Sequence, residues 1–292
     1  MLRGIEVVQL DEGELGIWDH QPLLPEAGLE LLGGSLGEAG RTVVLEERLV
    51  GVEVSLFYAC HGTNAVPLPN ARDHKRLLDH DLGPNTGGMG AISPNPTMTP
   101  ALEEEVLRST IIPTLEYLTA EGSPFSGFLF AGFMLTAEGP RLLEYNVRLG
   151  DPETQAILPR LRDGDFLLLC QSVADGTIAT RSFSFDPRAT CAVVLAASGY
   201  PKSPRKGDNI AVDKTFETPD RWLVHAGTQT HNETLQTSGG RVAAVVARGD
   251  TPEDARRFAY EGIEMVSFAG VQTRTDIGAE RALHPIPPAL KE

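Results

Sequence analysis

The amino-acid sequence predicts an α+β protein in which a mixed or antiparallel sheet with helices is followed by a smaller, β-rich C-terminal domain. Short β-branched and apolar runs, bounded by Gly, Asn or Pro, indicate strands in the first half of the chain. Two amphipathic stretches begin with the Thr–Pro pair that is typical of a capped helix. A second group of apolar runs follows a break in composition at residues 181–188. These three observations define the predicted fold.

The bulk composition excludes several classes of protein. The chain has 292 residues and a formal net charge of -15, from 40 acidic and 25 basic residues. Since nucleic-acid binding needs clustered Lys and Arg, we expect no nucleic-acid partner. The three cysteines, Cys60, Cys170 and Cys191, lack C-x-x-C spacing, so neither a disulfide framework nor a zinc site is predicted. We find no export signal and no apolar run of about 20 residues, and therefore expect a cytoplasmic protein without a membrane span.

The first predicted elements are strands. Residues 1–40 are acidic and Gly-rich, and we assign them no structure. Strands are predicted at residues 42–45, 52–59 and 65–68. Residues 69–98 form a long polar stretch rich in Gly and Pro, which predicts a loop. A structureless loop of this length inside a compact domain is usually functional or disordered.

The first predicted helix follows this loop. Thr99 is its N-cap, Pro100 occupies the first position, and Pro113 is expected to kink it. Apolar residues at helical spacing form its buried face, namely Leu107, Ile111, Leu115 and Leu118.

The remaining elements alternate between strands and helices. Thr251 and Pro252 predict the start of a capped amphipathic helix near the C-terminus. Before it, strands are predicted at 127–135, 141–147, 189–197, 222–225 and 242–247, and helices near 153–161 and 165–175.

The composition break sets the predicted domain limits. We divide the chain into an atypical segment at residues 1–40, a first domain at 41–182, a C-terminal domain at 183–280 and a tail at 281–292.

The strand that begins at Leu142 carries the most informative pattern. Apolar and polar side chains alternate along it, which places them on opposite faces. The polar face presents a carboxylate, an amide and a guanidinium, from Glu144, Asn146 and Arg148. Hard oxygen ligands suit Mg²⁺, and a planar cation can stabilise charge on a transferred phosphoryl or acyl phosphate. A solvated face of an edge strand is the alternative, and the abrupt turn at residues 150–153 favours function.

A glycine-rich loop at residues 83–90 is the second candidate feature. It contains four glycines and follows a charged segment at residues 73–76. Glycines let backbone N–H groups approach an anion, and nearby cations would assist. The alternative is a flexible surface turn, because the loop matches neither the P-loop nor G-x-G-x-x-G.

A third segment, residues 43–55, joins two predicted strands. Its hinge can contact adenine through backbone groups and ribose through a carboxylate. The alternative is a charged β-hairpin.

Taken together in chain order, the three segments resemble the glycinamide ribonucleotide synthetase family of the ATP-grasp superfamily. The resemblance runs from about residue 40 to residue 280, and the run Arg148-Leu149-Gly150-Asp151-Pro152-Glu153-Thr154-Gln155 is specific to that family. Leu149 stands where Phe is usual. The other matching motifs are Glu46-Glu47, Gly83 to Ala91, Gly127 to Gly132, Gly199-Tyr200-Pro201, His225 to Thr228, Gly239 to Val242 and Asp276-Ile277-Gly278.

The resemblance implies a fold, an activity and a set of site residues. The fold is of the ATP-grasp type, followed by the family's C-terminal domain. The implied reaction joins glycine to 5-phosphoribosylamine: ATP phosphorylates the glycine carboxylate, and the amine attacks the acyl phosphate. The implied metal ligands for Mg²⁺ or Mn²⁺ are Glu144 and Asn146, and the catalytic residues are Arg148 and Asp151. The implied adenosine pocket is Glu46, Glu47, Leu49 and Glu53. The implied substrate-binding residues are Asp73, Lys75, Arg76, Asn85, Thr86, Gly87 and Gly88.

One part of the family pattern is absent from this sequence. Family members begin with a Rossmann-like domain and a Gly-rich segment whose lysine binds ATP phosphates, whereas no lysine precedes Arg41 here. We therefore expect a chain that lacks the front of the enzyme, acts as a monomer and shows no ADP release by itself. The alternative is an inactive remnant that binds a nucleotide or a partner.

Overall fold

The computed structural model describes residues 49–162 and 166–279, and also the backbone of two strands nearer the N-terminus. Those two strands, Glu6–Gln9 and Thr42–Leu45, pair antiparallel with each other and belong to a first compact unit that ends at Leu49. A second unit begins at Val50. Glu46 and Glu47 lie outside the described residues.

The described residues contain nineteen strands and five α-helices. The strands are β1 (Glu6–Gln9), β2 (Thr42–Leu45), β3 (Val52–His61), β4 (Asn64–Pro67), β5 (Arg72–Asp73), β6 (Arg76–Leu78), β7 (Leu82–Asn85), β8 (Gly90–Ser93), β9 (Ser126–Thr136), β10 (Gly139–Asn146), β11 (Leu161–Arg162), β12 (Ser184–Phe185), β13 (Ala189–Ala196), β14 (Ala211–Val212), β15 (Arg221–His225), β16 (Thr228–His231), β17 (Thr234–Thr237), β18 (Arg241–Gly249) and β19 (Val266–Ser267). The helices are α1 (Pro100–Val106), α2 (Ile112–Ala120), α3 (Glu153–Ile157), α4 (Phe166–Asp175) and α5 (Pro252–Ile263).

The first sheet has four antiparallel strands in the order β10-β9-β3-β4. Successive side chains of β3 point to opposite faces, as the period of a strand requires. On one face, Val54 clusters with Ile111 and Leu115 of the neighbouring helical segment. On the other face, Phe57 clusters with Leu169 of α4. The sheet is therefore covered by helix on both faces and holds β10 at one edge.

The helical segment after Thr99 confirms the predicted cap. The Thr99 hydroxyl accepts a hydrogen bond from the Leu102 backbone N–H at 3.3 Å. The segment continues through a π-helical turn, Leu107–Ile111, that ends just before Pro113. Because proline has no N–H to donate, a local change of helical pitch is one way to accommodate it.

The second sheet has five strands in the order β15-β18-β13-β8-β5. Its central strand β13 is buried along its whole length and pairs with β18 on one side and β8 on the other. Helix α5 covers one face, where Ala255 and Ala259 cluster with Val193 and Val245. The shorter α3 contributes Ala156 to the cluster on the other face.

One sequence prediction for this region is wrong, and the predicted domain limit falls within this sheet. Residues 69–98 were predicted to be a loop, which was wrong, because β5 to β8 lie within them and all four residues of β8 are buried. In addition, β8 and β13 lie on opposite sides of the predicted limit at residues 182 and 183, yet they share hydrogen bonds. The limit is therefore not a break between compact units.

The segment between the predicted domains is also anchored. Strand β12 pairs with β11. The Asp186 carboxylate forms ion pairs with Arg188 at 2.8 Å and with Arg248 at 3.4 Å. The side-chain hydrogen bond from Arg188 is the largest cause that holds the pKa of the Asp186 carboxyl far below its ordinary value, and the charges of Arg188 and Arg162 add to it. This segment is a structured crossing rather than a loose linker.

No helix among the described residues is long and apolar enough to span a bilayer.

Candidate functional site

Strand β10 presents the predicted polar row at the edge of the first sheet. Glu144 is exposed, and Asn146 is half-buried at the last residue of the strand. On the opposite face, the Tyr145 side chain packs in the core and its hydroxyl is 2.9 Å from Thr114 Oγ1. The alternation continues only to Asn146. Val147, predicted to be packed, is 74% exposed because the strand has ended and the chain bends there.

The Glu144 and Asn146 side chains are adjacent and fit a small hard cation. Asn146 Nδ2 donates to Glu144 Oε1 at 3.1 Å, which leaves the amide oxygen and the second carboxylate oxygen free of that bond. Mg²⁺ commonly takes one or two protein oxygens and completes its shell with water and phosphate. Among the described residues, no group of three or more His, Cys, Asp or Glu side chains is arranged to hold a metal ion by itself. The pair therefore suits a metal that arrives with a nucleotide.

Arg148 follows the row and is exposed. Its Nη1 donates to the carbonyl oxygen of Leu149 at 3.0 Å. Burial raises the pKa of the Glu153 carboxyl, and the positive charge of Arg148 opposes that rise. Glu144, Asn146 and Arg148 thus lie in sequence along one edge, with Arg148 nearest to the turn that leads into α3.

Behind this edge, β3, β5 and α3 bring acidic groups around one lysine. Lys75 Nζ forms an ion pair with Glu53 Oε1. Ser55 Oγ donates to Glu153 Oε1 at 3.2 Å. One Asp73 carboxylate oxygen, Oδ1, is buried without a hydrogen-bond partner among the described residues. The cluster therefore contains a buried acceptor that can receive a hydrogen bond from a ligand or a water molecule.

The protonation of this cluster is set by burial and by charge. Burial raises the pKa of the Asp73 carboxyl well above its ordinary range, and the Glu153 charge adds to the rise. Burial likewise raises the pKa of Glu153. For Lys75, burial acts to lower the pKa, but the charges of Glu53, Asp73 and Glu144 outweigh it and leave the pKa raised. Lys75 is therefore a cation held among acids.

The glycine-rich loop lies against this cluster. Thr86 N–H donates to the Lys75 carbonyl at 2.8 Å, and Gly88 N–H donates to Thr86 Oγ1 at 3.0 Å. Gly87 N–H donates to the Tyr200 hydroxyl at 3.0 Å. The N–H groups of both glycines thus have partners within the chain, which differs from the expectation that they point at an anion.

Arg76 and Asn85 lie opposite each other in the β6–β7 hairpin. Arg76 Nη1 donates to the Gly83 carbonyl at 2.8 Å, and both side chains are exposed. No side-chain hydrogen bond or ion pair joins them to the acidic cluster within the described part of the chain. Their predicted role in substrate binding stays a prediction.

The turn after Arg148 places Asp151 against the second sheet. Asp151 Oδ2 pairs with Arg241 Nη2 at 2.9 Å, and Asp151 Oδ1 accepts from Gln155 Nε2 at 2.8 Å. An open cavity of about 500 Å³ lies beside this turn, lined by Asp151, Gln155, Leu158 and Val224 among others.

The residues predicted for adenosine divide between the two units. Leu49 is half-buried in the first unit, whereas Glu53 belongs to the second unit, where it lies in β3 and forms an ion pair with Lys75. Sequence reasoning did not select Ser55, Glu153, Tyr200 or Arg241 as site residues. Tyr200 and Arg241 each belong to a Gly-containing motif that was noted, and the adjacent glycines were the available signal.

Comparisons with known proteins show to which family the chain belongs. Residues 26–154 match the family model described as phosphoribosylglycinamide synthetase, ATP-grasp (A) domain. Residues 190–280 match the model of the C domain of the same synthetase. The chain is 47% identical to a phosphoribosylamine--glycine ligase of Ralstonia nicotianae, over 83% of this chain and 57% of that protein. It is 46% identical to that of Caulobacter vibrioides, over 86% and 59%.

Solved structures agree with these matches. The phosphoribosylamine--glycine ligase of Thermotoga maritima superposes with a TM-score of 0.77 and 38% identity, over 86% of this chain and 62% of that one. A biotin carboxylase of Campylobacter jejuni superposes with a TM-score of 0.60 and 11% identity, over 89% and 55%. The second likeness shows the fold alone. The chain spans about 57% of the length of the curated relatives that it matches.

Proposed function

Because the chain belongs to the phosphoribosylglycinamide synthetase family, we propose that it carries the ATP-grasp and C-terminal part of an ATP-dependent carbon–nitrogen ligase. The ligase joins glycine to 5-phosphoribosylamine through a glycyl phosphate and yields glycinamide ribonucleotide. The single observation that carries this proposal is that Glu144 and Asn146 are adjacent at the end of β10 and that Arg148 follows the strand, before the turn into α3. In this proposal, the two metal ligands and the cation therefore act at neighbouring positions.

Each side chain of the row has a defined task in this proposal. The Glu144 and Asn146 oxygens hold Mg²⁺, or Mn²⁺, on the ATP phosphates. A bound divalent ion neutralises phosphate charge and orients the transferred group. Arg148 stabilises the charge of the acyl phosphate, since a guanidinium matches the geometry of phosphate oxygens. Lys75 and the neighbouring acids orient the amine substrate beside it.

We further propose that the protein is a cytoplasmic monomer whose partners are its small-molecule substrates, with neither nucleic acid nor membrane among them. The net charge of -15 supports the exclusion of nucleic acid.

The experiment compares this chain with a chimera. In the chimera, residues 50–279 replace the matching stretch of the Ralstonia nicotianae ligase. ADP release is measured with Mg-ATP, glycine and phosphoribosylamine, and omission of glycine is the control. We expect glycine-dependent release from the chimera and none from the chain by itself.

A chimera that folds, shown by a cooperative thermal transition, but releases no ADP would contradict the proposed ligase. In that case, ATP binding by the chain alone, measured by calorimetry, would support the alternative of a binding module.

A further inference from the structure

Arg241, the first residue of β18, reaches from the second sheet to two separate segments of the site. Its Nη1 donates to the Gly87 carbonyl at 2.5 Å and to the Asp151 carbonyl at 2.8 Å. Its Nη2 donates to Asp151 Oδ2 at 2.9 Å. One guanidinium thus joins the glycine-rich loop to the turn that precedes α3.

Tyr200 adds a second connection from the same side. Its hydroxyl accepts the Gly87 N–H at 3.0 Å, so both backbone polar groups of Gly87 are bound by side chains of the C-terminal region. The close approach depends on glycine at two positions. A Cβ at Gly87 would lie 3.1 Å from Arg241 Cζ, and a Cβ at Gly240 would lie 2.5 Å from Tyr200 Cδ2.

The opposite side of the loop rests on the site. A Cβ at Gly88 would lie 2.3 Å from Pro152 Cδ and 2.8 Å from Asp73 Oδ1. The loop is therefore enclosed between the turn and the acidic cluster on one side and the Arg241–Tyr200 pair on the other. A shift of the pair would move the loop relative to Asp73 and Lys75.

Both carboxylate oxygens of Asp151 already accept hydrogen bonds from side chains. Oδ2 accepts from Arg241, and Oδ1 accepts from Gln155 at 2.8 Å. The contacts of Asp151 therefore suit a residue that anchors Arg241.

We propose that Arg241 and Tyr200 are positioning residues that fix the glycine-rich loop against the Asp151–Pro152 turn, and that Asp151 serves as the anchor of Arg241 rather than as a catalytic base. The bearing of this arrangement on turnover rests on the proposed ligase function. The arrangement itself does not, because it is defined by contacts within this chain.

Hydrogen exchange of the intact chain tests the arrangement without any assay of activity. The variants are Arg241→Lys and Tyr200→Phe. The matched control is Arg248→Lys, on the same strand, which removes a guanidinium that contacts Asp220 instead. We expect Arg241→Lys to speed exchange at residues 85–89 and 150–154 by about tenfold or more, since it loses at least one charge-assisted hydrogen bond. Tyr200→Phe should speed exchange at the loop alone, and the control at neither segment.

Unchanged exchange at residues 85–89 in both variants would overturn the proposal. Tyr200→Phe removes only one hydroxyl, so its exchange at residues 85–89 tests the proposal even if Arg241→Lys does not fold. Faster exchange everywhere in Tyr200→Phe would also overturn it, because the effect would then be global.

Kinetics of the chimera test the role of Asp151. For Asp151→Asn, we expect kcat to fall by no more than about tenfold, with the pH profile of kcat/KM unchanged, because the amide oxygen still accepts from Arg241. For Arg241→Lys, kcat should fall while KM for ATP stays the same. Loss of the acidic limb of the pH profile in Asp151→Asn would overturn the anchor role. An inactive parent chimera would contradict the ligase function instead, and the exchange comparison would then decide the proposal.

Discussion

At the scale of single residues, the acidic cluster around Lys75 buries carboxyl groups beside the polar row of β10. Their burial is unfavourable for the folded state. Asp73 is half-buried as a residue, but its Oδ1 is buried and has no hydrogen-bond partner among the described residues. Buried carboxylates without full hydrogen bonding destabilise the folded state, and such groups are frequent at sites that bind ligands.

The pH dependence of stability should reveal this burial. The pKa of Asp73 is raised above its ordinary value of 3.8, mainly by burial. A carboxyl with a raised pKa binds its proton more tightly in the folded state, so its contribution to the free energy of unfolding falls as the pH rises from 3.8 through the raised value. We expect Asp73→Asn to remove this fall. Urea unfolding of parent and variant, from about pH 4 to pH 8, measures it.

The same comparison has an internal control. Asp213 is exposed, and hydrogen bonds from Thr215 lower the pKa of its carboxyl. Its contribution is therefore present above the ordinary pKa and lost as the pH falls. Asp213→Asn should therefore lower the free energy of unfolding by nearly the same amount across this pH range and leave the slope of the profile unchanged. Identical profiles for the parent and Asp73→Asn would show that Asp73 is not buried as described.

Arg148 gives a prediction for catalysis. In the chimera, Arg148→Ala should lower kcat by ~100-fold or more, by analogy with the loss of one electrostatic stabiliser of a transition state. Arg141→Ala, which removes an exposed arginine within β10, is the control and should change kcat by less than about threefold. Steady-state ADP release is the measurement. A kcat for Arg148→Ala close to that of Arg141→Ala would exclude the proposed role.

At the scale of elements, local signals predicted some parts of the fold and could not predict others. Helix α5 follows directly from Thr251 and Pro252, and the Thr251 hydroxyl accepts the Asp254 N–H at 3.1 Å. Strand β8 has only four residues and begins with glycine, so its sequence favours a loop. It is extended because β13 pairs with it, and that partner lies about 100 residues further along the chain. The confirmed elements are those whose signal is contained in their own residues.

The site shows the same division. The polar row of β10 could be predicted because alternation along one strand places its residues. Arg241 could not be assigned to Asp151, because nothing in either local pattern specifies a contact across 90 residues. Such a contact follows from the order of strands in the second sheet.

Strand β8 supplies a prediction for stability. A Cβ at Gly90 would lie 2.6 Å from the backbone oxygen of Ala192 in β13. Because the neighbour is backbone, Gly90→Ala should reduce the free energy of unfolding by about 1–3 kcal/mol, the range for overpacked sites. Gly132→Ala in β9 is the control, since its added Cβ would have no neighbour closer than 3.4 Å. Equal urea midpoints for the two variants would contradict the close approach of β8 and β13.

At the scale of the whole molecule, the region from Val50 onward behaves as one compact unit although two family models match it. The shared sheet joins β5 and β8 to β13, β18 and β15. The fold class and the family were predicted from the sequence and are confirmed. The shared sheet was not predicted, because a break in composition was taken as a break in structure.

Fragments of the chain should show that the part before residue 183 depends on the second sheet for its stability. A fragment of residues 50–182 keeps β8 but lacks β13, which leaves one edge of β8 unpaired. We expect it to unfold without a cooperative transition, whereas the full chain should show one. Circular dichroism during heating is the measurement. A sharp transition in the fragment would mean that the first sheet is stable without the second.

The pairing of β11 with β12, and of Arg162 with Asp186, has a practical outcome for a severed polypeptide. A single protease cut between residues 175 and 181 would break the covalent link but leave the strand pairing and this ion pair, which both cross the cut, in place. The two halves should then copurify, and when expressed from separate genes they should reassemble. Such complementation would make the crossing a convenient point at which to install a split reporter.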